Sequence, residues 1–322
     1  MEKLSRFTLV TVLISFVLLG ALVSCPEPGG DVNGDDKAGE KAAAALINNK
    51  AVTVVQADES KQLETILAAI KTLSDNALVK GLAVSDIVLE DSKVTVSFAE
   101  EVEAEVEVNL FDTITAAIAD DDAVILVGVG EYDEAITINR GLALVSLGGA
   151  EIKQVVKIDA SDVSVVGFKI TSDTQGISFI HDNISYENIT IKDNVIDSQK
   201  HGIARLQNSK TFDEDRDVLK NLSIINNEIK GGADDDANQG IFLFTALRGA
   251  TVISNNKITK EAGGLNAGIN EDNFYAEGDI TITDNIAPEG AVDHYFAIWV
   301  NNTEATNVVK TGNTVTVGVK QD

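Results

Sequence analysis

The chain has 322 residues, with 25 basic side chains against 51 acidic ones and a formal net charge of −26. That sign excludes nucleic acid and anionic lipid surfaces as partners, because phosphate recognition needs the opposite charge. It also opposes acidic polysaccharides unless calcium bridges the carboxylates, and with one cysteine in the chain no internal disulfide is available, so burial must hold the fold together.

The first element is a basic-leaning head with Lys3 and Arg6, an apolar run from Phe7 to Val23, and the tetrapeptide Leu22-Val23-Ser24-Cys25. The run is short and ends on a small residue before Cys25, the pattern of a cleaved export signal rather than of a spanning helix. It resembles the signal and lipobox of bacterial lipoproteins. That resemblance implies cleavage before Cys25, acyl chains on its sulfur and amine, and stable anchoring by several chains where one would be marginal. Removing residues 1–24 takes away Glu2, Lys3 and Arg6, which moves the formal charge from −26 to −27. Pro26 in place of an aspartate after Cys25 points, by the sorting pattern of such lipoproteins, to the outer membrane or cell surface.

Residues 25–42 hold proline, glycine and acid with almost nothing to bury, and are expected to form a flexible acidic tether. Asp31, Asn33 and Asp35 begin like a calcium loop. Asp36 then stands where the turn glycine belongs and Ala42 where a bidentate glutamate belongs, so the geometry is incomplete. Residues 43–109 are expected to form a small α+β domain. Leu63, Ile66, Leu67, Ile70 and Leu73 follow helical spacing after the acidic start Asp58-Glu59-Ser60, and Lys93–Phe98 and Val102–Val108 alternate as strands. Residues 110–119 read as a short helix covering the open end of a repetitive body.

From residue 110 onward the sequence repeats. Asn194, Asn227, Asn256, Asn285 and Asn313 recur at spacings of 33, 29, 29 and 28 residues, each behind a short alternating strand. Spacing of that length marks a solenoid, in which equivalent amides would stack into a hydrogen-bonded ladder. A second phase runs through Gly176-Ile177, Gly202-Ile203, Gly240-Ile241, Gly268-Ile269 and Ala297-Ile298, so two strands per coil are visible. With the isoleucines inward, Ser178, Ala204, Phe242, Asn270 and Trp299 are expected to line up on the outer surface.

The segments Thr113–Ala119, Ala123–Tyr132, Glu134–Ile138 and Leu142–Leu147 resemble the opening of a pectin-lyase-like parallel β-helix, in which a capping helix leads into a strand, a glycine-rich turn with tyrosine, and two further strands. The resemblance covers residues 110–322. It implies a mainly β fold, a right-handed parallel β-helix of about seven coils. It does not fix an activity, since lyases, hydrolases, esterases, adhesins and binding proteins share that scaffold.

Lyases of that superfamily use a basic residue beside cation-neutralised uronates, so calcium is a cofactor only if this chain is a lyase. The candidates are Arg205, with His201 and Lys200 before it and Asp193 and Asp197 on the adjoining strand and turn; the bland alternative is a surface ion pair. Asp234, Asp235 and Asp236 are the metal candidates, although adjacent carboxylates seldom converge on one ion. His181, His201 and His294 lack ligand spacing, and His201-Gly202 is the one fragment of a hydrolase pattern present. Phe242, Phe244, Tyr295 and Trp299 gather in the later coils, where aromatic faces suit sugar rings and Asn270 and Asn301 suit hydroxyls. The reading is a lipid-anchored envelope or surface protein that binds glycan or another macromolecule without catalysis. The alternative is a polysaccharide lyase or other carbohydrate-active enzyme.

Overall fold

A computed structural model describes residues 52–75, 84–90, 93–98, 103–180, 184–205, 218–231, 239–243, 245–260, 267–272, 276–277, 279–287, 298–301 and 307–315. Residues 34–322 cluster as one compact unit. The fold is mainly β. Its strands fall into long sheets of 13, 8 and 7 members, and among the described residues there are two α-helices, Gln62–Asp75 and Ile114–Ile118.

The chain visits the three sheets in rotation. From Val124–Val127 in the first sheet it passes to Gly130–Tyr132 in the second and Ile136–Ile138 in the third, then returns to Ala143–Ser146 beside its starting strand. Each circuit repeats this with parallel, in-register pairing, as where Ile136, Val156 and Ile177 align across the third sheet. Three strands per circuit replace the two read from the sequence. The additional one begins directly after each ladder asparagine (Val195–Ser198, Glu228–Gly231, Lys257–Lys260) and turns in an isoleucine, Ile196, Ile229 or Ile258, each essentially unexposed. One continuous apolar core joins these residues to Ile191, Ile224, Ile253 and Ile282 of the first sheet and Ile203 and Ile241 of the third. Non-directional burial of this kind is the main stabilising contribution.

The asparagine ladder forms as expected and is more fully bonded than the spacing alone requires. Asn194 Nδ2 donates to Asn227 Oδ1 at 3.0 Å, Asn227 to Asn256 at 2.9 Å, Asn256 to Asn285 at 2.9 Å and Asn285 to Asn313 at 3.0 Å. Each of those oxygens also accepts the backbone N–H of the preceding asparagine, and the second proton of each amide goes to a main-chain carbonyl, such as Ile224 O for Asn256. The buried amides from Asn194 to Asn285 are thereby satisfied in a place where an unpaired one would be costly. Phe168 occupies the equivalent position one circuit earlier and gives its backbone N–H to Asn194 Oδ1.

The corners explain the residue types beside the ladder. Gly167, Asp193, Asn226, Asn255, Asp284 and Gly312 each precede a ladder position, and all have φ between 55° and 80°. Glycine, asparagine and aspartate are the types that tolerate this left-handed conformation. A second ladder occupies another corner: Asn221 Nδ2 donates to Asn188 Oδ1 at 3.1 Å, and Asn188 Nδ2 to Asp162 Oδ1 at 2.9 Å. At the third corner the backbones approach so closely that a Cβ on Gly202 would lie 2.6 Å from Gly240 O and 2.3 Å from Ile229 Cγ2.

The cap helix is Ile114–Ile118, starting later than expected because Leu110 and Phe111 finish the strand Glu103–Phe111. Ile114, Ala117 and Ile118 enter the core, while Thr113 caps the first turn through Ala116 N. Glu134 accepts the N–H groups of Ile114 and Thr115 at 2.8 and 3.0 Å, and Arg140 donates to the carbonyls of Ile118 and Asp122 at 2.9 and 2.7 Å. Acid at the start and base at the end both suit the helix dipole. The first sheet continues toward the N-terminus: Val52–Val55 pairs in parallel with Glu103–Phe111 on one side and Val124–Val127 on the other. The helix expected near Leu63 is Gln62–Asp75, with Ile66 and Ala69 buried but Leu63 at 44 % exposure, outside the apolar face expected for it.

Candidate site on the outer face of the third sheet

Strand parity decides what each residue of the third sheet faces. In Ile203–Arg205 and Gln239–Leu243, Ile203, Ile241 and Leu243 are fully buried, whereas Phe242, between the last two, is half-buried. The register sets Ser178, Ala204, Phe242, Asn270 and Trp299 side by side on five consecutive strands, and Asp272 beside Asn301. The row is not uniformly open. Ala204 has no exposed surface, so the line expected at the outside is interrupted there, a methyl group beside the larger Phe242 having no reach to solvent.

His201 joins this row from the segment just before Ile203. Its imidazole stacks on the Phe242 ring with centroids 5.2 Å apart and planes 29° apart, and its Nδ1 accepts the backbone N–H of Gln239 at 3.0 Å. An accepting Nδ1 fixes the neutral tautomer that carries its proton on Nε2. Burial, with the charge of Lys200 second, pushes the His201 pKa down to about 4. Gln239 is 6 % exposed, and among the described residues its buried side-chain Oε1 has no hydrogen-bond partner. No local pattern singles out Gln239, since its part depends on a main-chain contact across circuits.

Arg205 is the main correction. The sequence reading sets it among aspartates, as a base or a surface ion pair; it lies instead 1 % exposed inside the coil, on the same side of its strand as Ile203. Its guanidinium sits 5.1 Å from the centroid of the Tyr186 ring and donates to Ile184 O at 2.6 Å. Tyr186 in turn bonds Asp159 Oδ1 at 3.0 Å and the carbonyl of Ile180, and burial raises its phenol pKa above the usual range. The aspartates expected to flank Arg205 are engaged elsewhere: Asp197 pairs with Lys230 at 3.5 Å and Asp193 accepts from Asn226. A buried cation over an aromatic ring braces the strand crossing and presents no base to a groove.

The outer face of the second sheet is chemically different. Glu151 pairs with Lys153 at 2.8 Å and Lys169 at 3.1 Å and accepts from Thr171 at 2.9 Å. The hydrogen bond from Lys153 leads in holding the Glu151 pKa down to about 2. Further along the same face Glu228 pairs with Lys257 at 3.0 Å. Fixed, mutually neutralised charges of this sort cover a sheet without offering a ligand much.

The side chains of Asn270, Trp299 and Asn301, and the whole of Cys25, His181, Asp234, Asp235, Asp236, Phe244, His294 and Tyr295, lie outside the described residues. Among the described residues no group of three or more histidine, cysteine, aspartate or glutamate side chains is placed to hold a metal, and no helix is long and apolar enough to cross a membrane. No family model matches the chain, and neither a curated protein nor a solved structure matches it.

Proposed function

We propose that this protein is a lipid-anchored component of the cell envelope or surface, held to the membrane through acylated Cys25, whose outer third-sheet face binds glycan or another macromolecule without catalysis. The three sheets are read as faces of a right-handed parallel β-helix of about seven coils, similar to the pectin-lyase-like superfamily, with residues 43–109 as a small α+β module in front. The supporting observation is the register that sets Phe242, Asn270 and Trp299 on adjacent strands of one sheet. Phe242 and Trp299 are then two strands apart, roughly 10 Å, which suits two aromatic contacts along one extended sugar chain. The burial of Arg205 weighs against the lyase alternative, which requires a base facing the substrate.

The test is a glycan array with the full chain, beside an assay for unsaturated products on uronate polymers. Binding that disappears in Trp299→Ala with no unsaturated product supports the reading. Accumulation of unsaturated product overturns it in favour of a lyase.

A further inference from the structure

The outer face of the first sheet is covered at one end and open beyond it. Val54 and Leu126 alternate with Val55, Ile125 and Val127 of the core, so they point outward, yet they are 0 and 1 % exposed. The helix Gln62–Asp75 accounts for this: its Ile66 and Ala69 are buried outside the core, and Thr65 accepts from Gln56, directly after the strand Val52–Val55, at 2.9 Å. An amphipathic helix therefore already lies on this face. The face continues in parallel register from Ala143–Ser146 to Asp279–Thr283. There Val145, Val166, Ile225 and Val252 are half-buried, with Ser223 and Thr281 beside them. Between its two corners this floor carries no acid and one base, Lys192, in a chain with 51 acidic side chains.

The acids stand on the rims. Asp162 and Asp279 lie where the chain enters the sheet, and Asp193 and Asp284 where it leaves. Asp162, Asp279 and Asp284 are exposed and Asp193 is half-buried. Asp162 and Asp193 accept hydrogen bonds from Asn188 and Asn226, neutral amides that leave the carboxylate charge in place.

We propose that this floor is a docking site for a cationic amphipathic helix supplied by a partner, lying along the stack beside the protein's own helix. Its apolar stripe would rest on Val166, Ile225 and Val252, and its basic flanks would face the rim aspartates. The dimensions agree. Five strand steps from Val145 to Thr281 span roughly 24 Å, the rise of about 16 helical residues, and Asp193 and Asp284 are three steps apart, roughly 14 Å. Apolar burial supplies the affinity, and the acidic rims select the sign of the partner. The proposal concerns a different face from the third-sheet row and does not depend on it.

The experiment uses the full chain in mild non-ionic detergent with an 18-residue leucine and lysine amphipathic helix carrying a benzophenone on its apolar side. A scrambled peptide of the same composition controls for detergent and for bulk attraction to a polyanion. Photocrosslinks of the wild type should fall on the first-sheet strands between Ser164 and Thr283, a result independent of how any variant folds. Ile225→Gln with Val252→Gln should weaken binding about tenfold. The matched pair Val195→Gln with Ile286→Gln, which changes two side chains 46 and 42 % exposed on the second sheet, should leave it unchanged. Asn at positions 162, 193, 279 and 284 together should weaken it severalfold, and more at low salt than at high. Asparagine already stands at equivalent corners, as Asn188 and Asn226, so these four changes preserve the fold.

Crosslinks on the second or third sheet, equal binding of the scrambled peptide, or equal losses from the two glutamine pairs would each overturn the site. So would crosslinks joining two copies of the chain through this face, which would make a second copy its occupant.

Discussion

The outer faces of the second and third sheets share one interior and differ in what they turn to solvent. Behind both stand the same stacked isoleucines, Ile196 and Ile229 in one sheet and Ile203 and Ile241 in the other, all fully buried. In front, the second sheet carries self-neutralising pairs such as Glu151 with Lys153 and Lys169, while the third carries the partly exposed Ser178 and Phe242 with His201 stacked alongside. The inward positions and the corners are dictated by the stack; the outward positions are free. A difference between outward faces therefore reports on use rather than on folding. Changes to the shared interior should be costly for both sheets, and outward changes cheap for stability.

The largest effect should come at the corner. Gly202→Ala places a methyl against the Gly240 carbonyl and the Ile229 side chain, and because one obstacle is backbone, the adjoining strands must shift. Destabilisation of about 3 kcal/mol or more is expected, read from the urea midpoint and the melting temperature. Tolerance of this change would mean that the circuits do not approach so closely.

Asn256→Ala comes next. It removes the acceptor used by Asn227 N and Nδ2 and the donor used by Ile224 O, leaving two buried donors and one carbonyl short of a bond. About 3 kcal/mol of lost stability is expected by the same measurement. A cost near zero would detach the ladder from the energetics of the stack.

His201 links the interior to the third-sheet face through pH. Its pKa is about 4 in the fold against an ordinary value of 6.5, so the unfolded chain takes up the proton first. The stability it contributes is full above pH 6.5 and is lost as pH falls toward 4. Lowering the pH from 7 to 4.5 should cost the wild type about 2 kcal/mol more than His201→Phe, in paired urea titrations. Equal losses in the two proteins would show that the imidazole is not held neutral.

Smallest is Glu151→Gln on the second sheet. The Glu151 side chain is 13 % exposed but its lysines are 32 % and 55 % exposed, so solvent screens the pairs and a change of about 1 kcal/mol is expected at pH 7. Its pKa of about 2 is below the ordinary 4.5, so its contribution persists above pH 4.5 and fades as the pH falls toward 2.

Much of this architecture is legible in the chain because the ladder asparagines recur on a fixed phase and because Gly-Ile pairs mark a corner with an inward β-branched residue. The third strand is hidden because in these circuits it is four residues long and turns in one isoleucine, too little to show periodicity. The second ladder leaves a trace in the sequence, Asp162, Asn188 and Asn221, each six residues before Phe168, Asn194 and Asn227. Arg205 is misplaced by its charge: arginine is rarely buried, and nothing local announces that Tyr186 and the Ile184 carbonyl, from the previous circuit, are there to receive it. Of the site, Phe242 and His201 are both visible as candidates, but their stacking depends on a contact across circuits that spacing does not encode.

Where binding is lost decides between the two faces. Glycan-array signals for the wild type, Trp299→Ala and Glu151→Gln, each with a matched melting curve, separate them in one measurement. A third-sheet binding face predicts that Trp299→Ala abolishes the signal at unchanged stability while Glu151→Gln leaves it intact. Loss of signal in Glu151→Gln with retention in Trp299→Ala would contradict it.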